Sequence, residues 1–116
     1  MKLLTQIQRG RTPAPRRTLV YGVHGVGKST FGSMAEKPVF IQTEDGLGNI
    51  ECERFPLAGQ YADFVAALAE LYTEQHEYRT VVVDSLDCLE RLILADVCKK
   101  RGIESGDFVQ AYNDTV

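Results

Sequence analysis

The fold class this sequence predicts is an α/β domain built on a mostly parallel sheet. Three observations predict it. Short apolar runs alternate with stretches of helical pattern, and a glycine-rich turn follows the first of those runs. The last run, Thr80 to Val83, is β-branched throughout and too short for a helix, as expected of a strand buried on both faces.

In chain order, residues 1–15 hold Gly10, Pro13 and Pro15 without periodicity and read as a basic N-terminal arm ahead of a core spanning 16–116. Thr18 to Tyr21 (TLVY) is the first expected strand, ending at Gly22. The loop 22–30 (GVHGVGKST) follows, and a helix is expected from Lys28 to about Ala35. Pro38 opens a second strand, Val39 to Thr43, after which the chain turns acidic and glycine-rich through Glu44, Asp45, Gly46 and Gly48. From Tyr61 to about Glu77, Phe64, Leu68, Leu71 and Tyr72 recur at spacings of three and four, which predicts a helix. The third strand ends in Asp84. Ser85 is placed to cap a final helix running to about Arg101, with Leu86, Leu89, Leu92, Ile93 and Val97 inward. Lys99, Lys100 and Arg101 suit the negative end of that helix and Gly102 its C-terminal cap. Residues 103–116 are poorly patterned.

Bulk properties agree with a small globular domain of 116 residues, 44% apolar and 25% charged. No apolar run approaches the ~20 residues that cross a bilayer, and the N-terminus lacks a signal-peptide core, so a cytoplasmic location and no membrane partner are expected. Cys52, Cys88 and Cys98 form no CxxC pair and stand apart from His24 and His76, so they read as reduced, partly buried thiols. Residues 1–35 contain six bases (Lys2, Arg9, Arg11, Arg16, Arg17, Lys28) and no acid, whereas the remaining seven bases face all sixteen acids. A basic arm ahead of an acidic body suits either a nucleic-acid backbone or plain solvent.

The loop carries the chemistry. Gly22, Gly25 and Gly27 let the backbone turn tightly and bring N–H groups against phosphate oxygens. Val23, His24 and Val26 fill its variable positions. Lys28 supplies a point charge for the β- and γ-phosphates, Ser29 a hydroxyl ligand for Mg²⁺, and Thr30 lies near the α-phosphate. A strand before the loop and a helix after it are the context such a phosphate-binding loop requires, and the ligand is read as ATP with Mg²⁺. Asp84, at the C-terminal end of an apolar strand, is expected to hold the metal through water; its alternative is to complement the helix dipole together with Asp87. Glu44 follows a strand on the same side and is the candidate catalytic base that orients the attacking water, with Asp45 as its rival. Arg16, Arg17 and Arg79 read as solvent-facing charges.

Together, RRTLVYGVHGVGKSTFG, KPVFIQTEDGLGNI and YRTVVVDSLDCLERLI make the sequence resemble the phage and prophage AAA-family ATPases with a RecA-like core, a group of P-loop NTPases. The resemblance covers roughly residues 3–104. It implies ATP hydrolysis coupled to phage DNA recombination and single-strand annealing, with single-stranded DNA and further copies of the chain as partners. It matches Lys28 and Ser29 to the loop, Asp84 to the acid of the second motif and Glu44 to the glutamate ending the second strand. It also implies a later strand inserted between the loop strand and the Asp84 strand, ending in a polar sensor residue. The sequence to Val116 contains no such strand, which leaves two expectations: an N-terminal portion of a larger protein, or a shortened prophage product. On either, the edges of the first and third strands lack partners, and marginal stability or association is expected. Three functions compete: an ATPase, a nucleotide-binding module without turnover, and a small P-loop kinase.

Overall fold

A computed structural model describes residues 2–102. A 3₁₀ turn, Leu3–Gln6, is followed by α1 (Lys28–Ser33), β1 (Pro38–Gln42), β2 (Glu53–Arg54), α2 (Tyr61–Thr73), β3 (Thr80–Asp84) and α3 (Leu86–Arg101). The strands form one parallel sheet in the order β2-β1-β3. The stretch 103–116 lies outside the described residues.

Strand alternation assigns the two faces. Phe40 and Val82 are paired neighbours, as are Ile41 and Val83, and each pair lies on its own side of the sheet. On one side Ile41 packs with Phe64 and Ala67 of α2 and Leu89 of α3, flanked by Phe55, Tyr61, Leu71 and Val83. On the other, α1 lies against Val82 and Phe40. The result is a sheet covered by helices on both faces, with Phe40 and Ile41 fully buried at its centre.

Local chemistry explains the element ends. Asp63 accepts from the Gly59 and Gln60 amides at 3.1 Å each, closing the capping box that starts α2. That helix stops at Thr73, four residues short of expectation, because His76 folds back: Nε2 meets the Leu71 carbonyl at 2.8 Å and Nδ1 accepts the Tyr78 amide at 3.1 Å. Ser85 caps α3 through the Cys88 amide, and Gly102 ends it at φ +70°.

Two expectations are corrected. Thr18 to Tyr21 is not a strand: it pairs with no described strand, and every residue from Lys2 to Gly27 is exposed, Tyr21 at 88%. An apolar run becomes a strand only where a neighbour accepts its hydrogen bonds, and this run pairs neither with β1, which lies between β2 and β3, nor with the outer edge of β3. The third strand of the sheet is instead β2, whose two residues are charged and exposed. The inward faces also differ. Tyr72 and Leu68 of α2, and Leu86 and Ile93 of α3, are exposed, while Cys98 is buried. At about 24 Å, a sixteen-residue helix outruns strands of about 17 Å, so parts of its apolar stripe have no sheet beneath them.

Candidate functional site

The site forms where β1 and β3 end and α1 begins. Register places Gln42 opposite Asp84, and the Thr43 amide donates to the Asp84 carbonyl at 2.8 Å, so both strands end level. Thr43 Oγ1 donates to the Ser85 carbonyl at 2.7 Å and accepts the Ser85 amide at 2.9 Å, stapling the two strand ends together across a cis Asp84–Ser85 peptide.

The loop supplies the other wall. Gly25 and Gly27 sit at φ +82° and +102°, conformations costly for any other residue, and Gly27 is the N-cap of α1. The first α1 hydrogen bond runs from the Phe31 amide to the Gly27 carbonyl at 2.9 Å, which leaves the preceding amides without an intrahelical acceptor. The Lys28 ammonium reaches back across the loop and donates to the Gly22 carbonyl at 2.7 Å and the Val23 carbonyl at 3.0 Å. Val23, His24, Val26 and Thr30 are exposed.

Ser29 and Asp84, far apart in sequence, meet: the Ser29 hydroxyl donates to Asp84 Oδ2. Both are hard oxygen donors of the kind Mg²⁺ prefers. Among the described residues no three or more His, Cys, Asp or Glu side chains gather as a metal cage. This donor set therefore fits an ion that brings phosphate oxygens as further ligands rather than one enclosed by protein.

Glu44 is exposed on the turn after β1 and is drawn toward the start of α3. Its Oε2 accepts from Cys88 Sγ at 2.9 Å and from Ser85 Oγ at 3.2 Å. The carboxylate holds the Cys88 thiol above its ordinary pKa, chiefly through that hydrogen bond, with Ser85 acting in the opposite direction. Asp45, its rival, makes no side-chain hydrogen bond among the described residues. The turn is anchored by Leu47, buried at 2% exposure, whose carbonyl accepts from Arg54 at 2.8 Å.

Three contributors were not singled out from the sequence. Gly32 is one: a Cβ there would lie 2.9 Å from Val82 Cγ1, so only glycine lets α1 approach β3 this closely. Thr43 and Cys88 are the others. Their signal was proximity to motif residues, Thr43 directly before Glu44 and Cys88 one turn after Asp84, but no side-chain type marked them.

A family model described as an AAA domain matches residues 14–115. The chain is 26% identical over 89 residues to the SPbeta prophage-derived uncharacterized protein YorG of Bacillus subtilis (strain 168). That alignment covers 73% of this chain and 28% of the relative, so the chain spans little more than a quarter of the relative it matches. No solved structure matches it. No described helix is long and apolar enough to cross a membrane.

Proposed function

The chain belongs to the AAA domain family, whose hallmark is a nucleotide-binding P-loop, and on that premise we propose that it binds and hydrolyses ATP with Mg²⁺ in the service of phage DNA recombination and single-strand annealing. The observation that carries the nucleotide chemistry is the meeting of the Ser29 hydroxyl with the Asp84 carboxylate at the common end of the loop and β3.

Loop amides at Gly25 to Ser29 cradle the phosphates, and Lys28 trades its two loop carbonyls for β- and γ-phosphate oxygens. Ser29 and Asp84 are the residues that would hold Mg²⁺, and the ion would supply charge neutralisation on those oxygens. Glu44 orients the attacking water and takes its proton. The DNA part of the reading rests on the sequence resemblance and on the prophage origin of the relative. Lys2, Arg9, Arg11, Arg16 and Arg17 all lie in the exposed stretch ahead of the loop, where a phosphate backbone can reach them. Exposed Leu19 and Tyr21, with a β3 edge unpaired among the described residues, support association between copies.

The test is phosphate release from ATP by the wild-type chain and by Glu44→Gln, with and without single-stranded DNA. Turnover that Glu44→Gln abolishes while nucleotide affinity survives is expected. Retained turnover in Glu44→Gln removes that residue from the role. Binding without any turnover selects a nucleotide-binding module, and turnover only with a small acceptor selects a kinase.

A further inference from the structure

We propose that Cys88 is a positioning residue for Glu44, holding the carboxylate of the catalytic base through its thiol; the inference deepens the hydrolytic reading above and rests on it. Glu44 sits on an exposed turn, where a long carboxylate side chain samples several rotamers unless something fixes it. Two donors fix it here, and both come from the start of α3. Cys88 Sγ donates at 2.9 Å and Ser85 Oγ at 3.2 Å, to the same oxygen, Oε2.

The three groups form a closed arrangement. Ser85 has one hydroxyl proton, given to Glu44, and its lone pairs accept the Cys88 amide at 3.4 Å. That amide bond is the N-cap of α3, so the thiol is presented from the first turn of a helix whose Leu89 is packed in the core. The thiol keeps its proton because the carboxylate beside it disfavours the thiolate. It therefore remains a donor at neutral pH. With Oε2 occupied by two donors, Oε1 is the oxygen left for water. The base is thus oriented by the start of α3, which follows directly on the β3 strand that carries Asp84.

The experiment compares kcat and KM for ATP in wild type, Cys88→Ala and Cys88→Ser. Removing the thiol donor is expected to lower kcat roughly ten-fold with KM for ATP unchanged. Cys88→Ser keeps a donor and restores most of the rate. A wild-type kcat in Cys88→Ala overturns the proposal, as does a loss that appears mainly in KM or a Cys88→Ser variant no faster than Cys88→Ala. A second readout needs no turnover: the rate at which iodoacetamide alkylates Cys88, followed by peptide mass. In Glu44→Gln the thiolate forms more readily, and alkylation should quicken several-fold; an unchanged rate overturns the pairing. A wild-type chain that never turns over refutes the hydrolytic reading and the positioning role with it, while the alkylation comparison separately reports the contact.

Discussion

Replacing Gly32 by alanine sets two known effects against each other. Gly32 lies within α1, and by helix propensity alone alanine there would stabilise the chain by about 1 kcal/mol. The structure opposes this. The new Cβ would stand 2.9 Å from Val82 Cγ1 and 3.4 Å from Phe40 Cζ. Reaching ordinary carbon contact with the valine methyl requires a displacement of roughly 0.6 Å. Val82 is β-branched and stiff at χ1, and Phe40 behind it is fully buried, so neither side chain swings away freely. Overpacking of this kind costs about 1–3 kcal/mol, and the balance is a net loss of about 1 kcal/mol, or roughly 4–8 °C in a domain of this size. The helix is the part that yields, and Ser29, one turn before Gly32, moves away from Asp84 with it. Thermal unfolding and Mg²⁺-dependent ATP binding read the two consequences. Gly32→Ala should melt lower and bind Mg-ATP several-fold more weakly. In a Val82→Ala background, which removes the opposing methyls, the same substitution should become neutral or stabilising. A Gly32→Ala chain that melts higher than wild type and keeps its affinity would refute the claim that this close approach sets the site.

Two further outcomes follow from the packing and the titrating pairs. Phe40→Ala empties the centre of the sheet and should cost about 3–5 kcal/mol, a large share of the roughly 5–15 kcal/mol a domain has, so the midpoint of urea unfolding should fall sharply. Cys88 and Tyr78 both titrate higher in the folded chain, through hydrogen bonds to Glu44 and Glu53 respectively. Stability from each pair is therefore complete below the ordinary thiol and phenol values of about 8.5 and 10, and is lost as pH rises through the higher folded values. Melting temperature should fall on the alkaline side, less steeply in Tyr78→Phe.

The parts of the fold that were legible in the sequence are those whose signals are local. Ser85 before a leucine-rich stretch and Gly102 after three bases mark both ends of α3, and the run ending in Asp84 marks β3. Glycines at 25 and 27 followed by Lys28 and Ser29 mark the loop, and of these Ser29 meets Asp84. What escaped depends on partners remote in the chain. Thr18 to Tyr21 has strand composition but pairs with no described strand, whereas Glu53 and Arg54 have the wrong composition yet pair with Val39 and Phe40. The end of α2 was missed because a histidine three residues beyond it, not a glycine or proline, captures a helix carbonyl. Gly32 and Cys88 matter through contacts with Val82 and Glu44, dozens of residues away, and nothing in their own neighbourhoods announces that.

Titration of the chain with ATP in the presence and absence of Mg²⁺, by calorimetry, on wild type and Lys28→Ala, tests the phosphate-binding claim most directly. Saturable binding that strengthens with Mg²⁺ and disappears in Lys28→Ala, while that variant melts like wild type, is the expected result. No heat of binding at millimolar Mg-ATP, or equal affinity in Lys28→Ala, would contradict it.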